Sequence, residues 1–183
     1  MSNTAYIIGN GPSRRSIDLT RLQGDTWGCN ALYRDFIPDY LIAVDKKMQD
    51  EIVENRPDCQ LVFKQPEGRW PYNRDKSIWC YKTELCVPHN SGAGALHLAT
   101  KHNYYTTIVL LGFDFGVENL YKGSPNYWSN PLPNEKMQQY ISNVVIDNPK
   151  IQFIRVSDTD SKFGGLSQPH TITLTPEQFG EKQ

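Results

Sequence analysis

The stretch YIIGNGPSRRSIDLTRL, residues 6–22, sets an apolar run directly before a turn rich in glycine, proline and serine. An apolar strand that ends in such a turn and leads into a helix is typical of an open α/β sheet, where ligands bind at the carboxyl ends of the strands. Glycine reaches dihedrals that other residues avoid, and the N–H groups at a helix start attract anions. The stretch therefore predicts a binding turn at Gly9, Asn10, Gly11, Pro12 and Ser13.

The turn matches neither of two common nucleotide-binding motifs. A dinucleotide fingerprint needs a small residue where Arg14 stands and an acidic residue after the second strand, where this chain has Asn30. No P-loop sequence occurs. Two interpretations stay open: an anion site to which Ser13, Arg14 and Arg15 donate, or a plain turn with solvated arginines.

The rest of the chain alternates short apolar runs with polar stretches that permit helices. This pattern predicts a Rossmann-like three-layer α/β sandwich with a mostly parallel central sheet. Strands are predicted at Ala5–Ile8, Thr26–Cys29, Tyr40–Val44, Gln60–Phe63, Ile78–Tyr81, Thr107–Leu111 and Gln152–Val156. Helices are predicted at Ser16–Leu22, Lys46–Asn55, Ser91–Asn103 and Asn134–Asp147, with Ser91 as a cap.

Length and composition favour a single core. A chain of 183 residues, 38% of them hydrophobic, buries one core well but hardly two. We predict one nucleotide-binding-type domain at residues 1–160, with a lid-like loop at 116–133, and a C-terminal extension at 161–183 that holds a strand-like patch at His170–Leu174. The loop is too long for a simple connection, although a surface excursion is the alternative to a lid.

Charge and cysteine spacing exclude several classes of function. The formal net charge of −1 provides no general attraction for nucleic acid. No apolar stretch is long enough to span a membrane, and no secretory signal is recognisable, so we expect a cytoplasmic protein. The cysteines form no CxxC pair, which predicts free thiols and no metal site; they are Cys29, Cys59, Cys80 and Cys86.

Further polar residues follow the predicted strands at the edge where the turn lies. Asn30 presents an amide to a base or sugar, or simply ends its strand. Asp45 can hold a ribose, a cation or a proton in transit, or cap the helix that follows. Gly92 and Gly94 in a helix start indicate either close approach of a ligand or tight packing on the sheet.

Four motifs in order resemble a known family. They are IIGNGPS at 7–13, GCN at 28–30, NSGAGALHLA at 90–99 and IVLLGFDF at 108–115. The order resembles the small bacterial sialyltransferases that use CMP-sialic acid. A related group, the hydroxymethylpterin diphosphokinase-like proteins, shares the Gly-Pro-Ser turn, the Ser-Gly helix start and the Gly-x-Asp strand end.

The resemblance implies roles for matching residues. It makes Asn10 and Asn30 nucleotide contacts and places Gly112 and Asp114 beneath the nucleotide. A second set resembles the segment that holds the cytidine and sugar of the donor, namely Asn90, Ser91 and Gly92. The tyrosines that bind the departing phosphate correspond to Tyr121 with Tyr127 or Trp128. Asp45 stands where the family has an asparagine, and the candidate catalytic residues are Asp45, Asp114 and His89.

The chain also departs from that family. Pro88 replaces an arginine ahead of the Ser-Gly helix, and no histidine lies between Asp114 and Asp147 to serve as the base. Three hypotheses follow: a glycosyltransferase-like enzyme that uses a nucleotide sugar and needs no cofactor, a diphosphokinase-like enzyme that needs Mg²⁺, and a non-catalytic protein that retains the fold. The expected partner is a nucleotide or nucleotide sugar, and a homo-oligomer is the base-rate expectation.

Overall fold

Eight short strands lie side by side in one parallel sheet. The structure is a computed structural model that describes residues 3–64, 78–81, 90–102, 104–116, 118–127, 134–158 and 168–181. In these ranges the strands are β1 Thr4–Ile8, β2 Asp25–Cys29, β3 Tyr40–Ala43, β4 Gln60–Lys64, β5 Ile78–Tyr81, β6 Thr107–Leu111, β7 Gln152–Val156 and β8 Thr171–Leu174. Their order across the sheet is β5-β4-β3-β2-β1-β6-β7-β8, and each neighbouring pair is parallel.

The central strands are buried on both faces. Ile7 and Ile8 are neighbours in β1, yet they pack into two different core clusters, and neither is exposed. Leu41 and Ile42 in β3 divide between clusters in the same way. Each such side chain contributes roughly 1.5–3 kcal/mol by its burial. Strands buried in this way are continuous apolar runs, which is why the sequence predicted seven strands to within one residue at either end.

Helices cover the sheet on both sides, so the predicted three-layer sandwich is confirmed. They are α1 Lys46–Asn55, α2 Ser91–Thr100, α3 Asn134–Asp147 and α4 Pro176–Gly180. Residues of α2 and α3 pack with Ile7 and Ile42 on one face. On the other face, α1 packs against β3 and β4, and α4 packs near β1, β6 and β7. The predicted bounds of α1 and α3 are confirmed, and α2 ends at Thr100 rather than Asn103.

The predicted helix at Ser16–Leu22 is wrong. Two 3-10 turns, Pro12–Arg14 and Leu19–Arg21, make the connection from β1 to β2. Asp18 lies between them with an extended backbone, and its side chain accepts a hydrogen bond from the Thr20 N–H at 3.0 Å. This local bond gives the backbone an alternative to a continuous helix.

The C-terminal residues add to the same sheet. The strand-like patch predicted at His170–Leu174 is β8, which pairs with β7. A capping box starts α4, in which the Thr175 side chain accepts from the Gln178 N–H. Phe179 of α4 is buried in the cluster that contains Ile8. Residues 168–181 are thereby joined to the core of the main domain.

The order of the strands defines where a ligand would bind. The chain proceeds from β1 outward to β5, then returns to the other side of β1 to form β6. This reversal creates a topological switch point, and ligands of open α/β sheets bind in the crevice outside the carboxyl ends of the strands there. The predicted catalytic residue His89 lies outside the described residues. No helix among those described is long and apolar enough to cross a membrane.

Candidate functional site

The predicted turn lies at the switch point, where the ends of β1 and β6 touch. The N–H of Gly9 donates to the carbonyl of Leu111 at 2.8 Å, and the N–H of Gly11 donates to that of Gly112 at 2.9 Å. A Cβ on Gly9 would lie 2.7 Å from the Gly112 carbonyl oxygen, and Gly112 itself has φ +68. The glycines are therefore required first for this close contact between two strand ends.

Asp114 holds the turn from the side of β6. Its Oδ2 accepts a hydrogen bond from the N–H of Ser13 at 2.8 Å, within the short 3-10 helix Pro12–Arg14. Its Oδ1 lies 3.4 Å from the hydroxyl of Ser157, which the buried Arg155 also contacts at 3.1 Å. The Ser13 N–H, expected to meet an anion, is thus bound by a carboxylate, so a ligand anion at that N–H would compete with Asp114.

Beside the turn, hydrogen bonds link four predicted site residues and Asn119 into what we call the amide cluster: Asn10, Asn30, Ser91, Asn119 and Tyr127. The Tyr127 hydroxyl accepts from Asn10 Nδ2 at 3.1 Å and from Asn119 Nδ2 at 2.7 Å, and it also bonds with the Asn30 side chain. The Ser91 hydroxyl donates to Asn30 Oδ1 at 2.7 Å. The ends of β1 and β2, the start of α2 and the loop after β6 thereby meet at one place.

Asn10 leaves one polar atom of this cluster without a partner. The residue is 6% exposed, and its Oδ1 accepts no hydrogen bond from any residue that the structure describes. Its Nδ2 contacts the carbonyl and thiol of Cys29, at 3.5 and 3.6 Å, besides Tyr127. An unsatisfied buried acceptor costs about 1–3 kcal/mol, so the site is suited to a ligand that brings an N–H or O–H donor.

Asn30 and Ser91 owe their positions to the backbone around them. Asn30 has φ 53, in the left-handed region that asparagine tolerates better than most residues, and it starts a 3-10 segment, Asn30–Arg34, after β2. Ser91 was predicted to cap α2, but the cap is Asn90, whose Oδ1 accepts from the Ala93 N–H at 3.0 Å. The Ser91 hydroxyl instead accepts from the Val44 N–H at 3.2 Å, which ties α2 to the end of β3.

The start of α2 and the end of β3 carry the remaining predicted residues. A Cβ on Gly92 would lie 3.3 Å from the Phe113 ring and from Asn90 Oδ1, so a larger residue there would pack tightly against both. Asp45 is exposed at the N-cap position of α1 and makes no capping hydrogen bond with its side chain. Its strand, β3, ends at the same edge as the amide cluster. His89 lies outside the described residues.

The loop after β6 lies over the turn with both of its predicted tyrosines. The N–H of Leu120 donates to the Asn10 carbonyl at 2.9 Å. The buried Tyr121 donates its hydroxyl to Asp35 Oδ2 at 2.5 Å and accepts from Arg14 Nη2 at 3.0 Å. Burial and then Asp35 raise the pKa of Tyr121, while the Arg14 charge opposes the rise. Tyr121 therefore stays protonated at neutral pH.

Tyr127 is held in the protonated form as well. Burial and then the Cys29 thiol raise its pKa, and the hydrogen bonds with the three asparagines lower it by less. The Tyr127 and Tyr121 ring centroids lie 5.7 Å apart. Two neutral phenols thus stand side by side above the turn.

A second set of contacts fastens the outer part of this loop to Arg34 and Glu51. The two residues form an ion pair at 2.6 Å. Arg34 also donates to the Ser124 hydroxyl at 2.8 Å, and Glu51 Oε2 accepts from Asn126 at 2.9 Å. Burial opposes ionisation of Glu51, but hydrogen bonds from Tyr33, Asn126 and Arg34 outweigh it and lower its pKa. These contacts fasten residues 124–126 of the loop to α1 and to the 3-10 segment Asn30–Arg34.

The structure brings most of the predicted residues together and adds some that sequence reasoning missed. The turn, the amide cluster, Asp114 and Tyr121 are contiguous through the contacts above. Sequence reasoning missed Asn119 and Asp35. No sequence pattern distinguishes a functional asparagine in a loop, or an exposed aspartate after a 3-10 turn, from other polar residues. Among the described residues, no group of three His, Cys, Asp or Glu side chains is arranged to hold a metal ion.

Comparison with known proteins bears on the fold. No family model matches the chain, and a search of curated proteins gives no match. A search of solved structures matches the MAf glycosyltransferase from Magnetospirillum magneticum AMB-1 with a TM-score of 0.63 and 12% sequence identity. The alignment covers 99% of this chain and 36% of that one. The chain thus spans about a third of the length of its structural neighbour, with which it shares a glycosyltransferase-like fold.

Proposed function

We propose that the chain binds a nucleotide-activated sugar of the CMP-sugar type and transfers the sugar to a hydroxyl acceptor. The observation that carries this proposal is the amide cluster at the switch point of the sheet, with the unpartnered Oδ1 of Asn10 inside it. The fold shared with a solved glycosyltransferase supports the same class of activity. The motif resemblance supports a cytidine nucleotide in particular.

Different residues of the site would bind different parts of the nucleotide sugar. Amides and hydroxyls of Asn10, Asn30 and Ser91 offer uncharged hydrogen bonds to a base and a sugar. The protonated phenol of Tyr127 is able to donate to a phosphate as negative charge develops on it, whereas Tyr121 would have to exchange its hydrogen bond to Asp35 for one to the phosphate. The closed segment over them excludes water, which would otherwise compete with the acceptor.

In the proposed transfer, the acceptor oxygen forms a bond to the anomeric carbon while the bond from that carbon to the phosphate oxygen breaks. The electron pair leaves with the nucleoside phosphate, and the acceptor proton passes to a base. We assign the base to Asp45, an exposed carboxylate at this edge, because Asp114 already accepts the Ser13 N–H. His89 remains a second candidate for the same proton.

Thermal unfolding with a panel of nucleotides, each with and without Mg²⁺, tests binding. CMP at about 100 times its dissociation constant should raise the melting temperature by roughly 5–10 °C. Ser91→Ala and Tyr127→Phe should abolish most of this shift, because each removes a hydroxyl from the amide cluster. Tyr104→Phe is the matched control, since that phenol bonds Asp25 at the opposite edge of the sheet and lies outside the site.

Each alternative hypothesis has its own outcome in this panel. Stabilisation by ATP only in the presence of Mg²⁺ would replace the proposal with a diphosphokinase-like activity. Stabilisation by none of the nucleotides would leave a structural protein with this fold. If CMP stabilises the protein, mass spectrometry of a CMP-sugar incubated with it and a hydroxyl acceptor should show the donor cleaved, and an intact donor would limit the function to binding.

A further inference from the structure

Arg14 is a buried cation in the turn, and its described contacts carry no negative charge. Its side chain donates from Nε to the Gly9 carbonyl at 2.7 Å and from Nη2 to the Tyr121 hydroxyl at 3.0 Å. The residue is 6% exposed. Within the part of the chain that the structure describes, no carboxylate lies within ion-pair distance of it. Two of its five N–H donors are used by these bonds.

Burying a charge is costly unless an opposite charge compensates for it. A carbonyl and a phenol supply dipoles but no net charge. The nearest carboxylate that the hydrogen bonds reach is Asp35, which accepts from the far side of the Tyr121 hydroxyl at 2.5 Å. The chain Arg14–Tyr121–Asp35 therefore compensates the guanidinium only through an intervening phenol, and a site for an anion remains at Arg14.

The position of Arg14 relates this anion site to the amide cluster. Its Nε donates to the carbonyl of Gly9, the residue directly before Asn10, and Asn10 Nδ2 contacts the sulfur of the buried Cys29 at 3.6 Å. Asn10 Oδ1 is the unpartnered acceptor described above, and it calls for a neutral donor rather than an anion. A ligand that satisfies both residues carries an uncharged N–H or O–H group close to a negatively charged group, as a nucleoside phosphate does.

We infer that Arg14 binds the phosphate of the nucleotide, and that Asp35 moderates this interaction through Tyr121. The inference rests on the proposed function, which it deepens by assigning the phosphate charge to one residue. It also separates two arginines that the sequence alone presents as equals: Arg14 is buried at the turn, whereas Arg15 is exposed and follows it.

Affinities for cytidine and CMP, measured by calorimetry for each variant, isolate the phosphate. The wild-type protein should bind CMP more tightly than cytidine. Arg14→Gln should reduce this phosphate-dependent gain by roughly 10- to 100-fold, the range for a hydrogen bond to a charged group, and leave cytidine affinity within about twofold. Arg15→Gln removes the same charge from the neighbouring position and should change neither affinity.

Asp35→Asn provides a second variant that leaves both Arg14 hydrogen bonds in place. Removing the carboxylate leaves the guanidinium less compensated, so the phosphate-dependent gain should increase by roughly 3- to 10-fold at low ionic strength. Cytidine, which has no phosphate, should bind Asp35→Asn as it binds the wild type. This variant keeps the test decisive if Arg14→Gln fails to fold.

Three outcomes contradict the inference or separate it from the proposed function. An equal loss of cytidine and CMP affinity in Arg14→Gln would make Arg14 a support of the turn only. An unchanged phosphate gain in Asp35→Asn would also overturn it. If the wild type binds neither cytidine nor CMP, the proposed function fails. Stabilisation of the wild type but not of Arg14→Gln by pyrophosphate would then still support an anion site at Arg14. If pyrophosphate affects both proteins equally, the anion site is overturned as well.

Discussion

Gly11 shows at the scale of one residue how strongly the site constrains its sequence. Its backbone N–H joins β1 to β6 through the Gly112 carbonyl. A Cβ at this position would press against the Asp114 carboxylate and lie 2.6 Å from the Gly112 oxygen. The packing of the turn therefore requires glycine at this position whether or not a ligand is bound.

Gly11→Ala should lower the free energy of unfolding by about 1–3 kcal/mol, because the added methyl group forces the two strand ends apart. Urea denaturation measures this loss. Gly180→Ala is the control, since a Cβ there meets nothing within 4 Å, and its effect should stay within about 0.5 kcal/mol. Equal effects of the two substitutions would show that the contact between β1 and β6 does not require glycine.

At the scale of elements, the segment from Glu118 to Tyr127 depends on α1 for its closed position. Glu51 of α1 accepts hydrogen bonds from Tyr33, Arg34 and Asn126, and its side chain is 11% exposed. Asp50, the preceding residue in α1, forms an ion pair with Lys46 on the helix surface, and its side chain is 50% exposed. The two carboxylates form a natural pair for comparison.

Glu51→Gln should speed hydrogen exchange of the amides in the segment by roughly 5- to 10-fold at pH 7, since a charged acceptor of hydrogen bonds from three residues becomes a neutral one. Asp50→Asn should leave these rates unchanged because surface pairs contribute little. Exchange measured by mass spectrometry on peptides covering residues 118–127 reports both. Unchanged exchange in Glu51→Gln would mean that Tyr121 and Tyr127 hold the segment alone.

The low pKa of Glu51 adds a pH dependence to the same contacts. A carboxyl group whose pKa is lowered on folding stabilises the fold above its unfolded pKa and loses that contribution as the pH falls through the folded pKa. The wild-type segment should therefore loosen in acid. In Glu51→Gln this part of the acid response should be missing.

The elements were far easier to predict from sequence than the contacts between them. Seven strands appear as apolar runs, and both faces of the central ones are buried, whereas Trp79 of the edge strand β5 is 48% exposed. The helix expected at Ser16–Leu22 failed because the Asp18 side chain bonds its own backbone, a local competition that periodicity does not register. Helix α4 was missed, since a single turn after β8 offers too few residues for a pattern.

From the pattern of residues alone, the candidate site was predictable where polar residues follow apolar runs, whereas Ser91, Tyr121 and Tyr127 were predicted from the family resemblance. Asn10, Asn30 and Asp114 stand at strand ends, and a parallel sheet brings such ends to one edge. The bonds of Tyr127 with Asn10 and of Asn126 with Glu51 join residues far apart in the chain, and no local pattern encodes them. The cap expected at Ser91 is Asn90, because the Ser91 hydroxyl is used for the Val44 N–H and Asn30 instead.

At the scale of the whole molecule, the burial of protonated cysteine and tyrosine side chains determines how the free energy of unfolding changes at alkaline pH. Burial raises the pKa of Cys29 to about 12, against a smaller opposing effect from Arg14 and Asn10. Burial also raises the pKa of Cys59 to about 11, and burial with the Glu51 hydrogen bond raises that of Tyr33 to about 12. Tyr105, buried at the other edge of the sheet and bonded to Asp25, shifts in the same direction.

The sign of this effect follows from proton binding. Above the unfolded pKa of each group, the unfolded chain has lost the proton that the folded chain still holds, so stability falls as the pH rises. The free energy of unfolding should therefore decline from about pH 9, where the thiols begin to ionise in the unfolded chain, and more steeply above about pH 10, where tyrosines join them. Urea denaturation at pH 7, 9, 10 and 11 measures the decline.

Cys29→Ala assigns the first part of that decline to one thiol. Cys29 is 4% exposed, so its contribution approaches the limit of about 1.4 kcal/mol for each pH unit above its unfolded pKa. The variant should be less stable at pH 7 but show a shallower fall between pH 9 and 10.5. Cys59→Ala should flatten the curve less, because that thiol is only half-buried and its pKa is raised less. Parallel curves for the wild type and Cys29→Ala would mean that the thiol ionises as readily in the folded protein as in the unfolded chain, and the closed packing of Cys29 beneath Asn10 and Tyr127 would then be wrong.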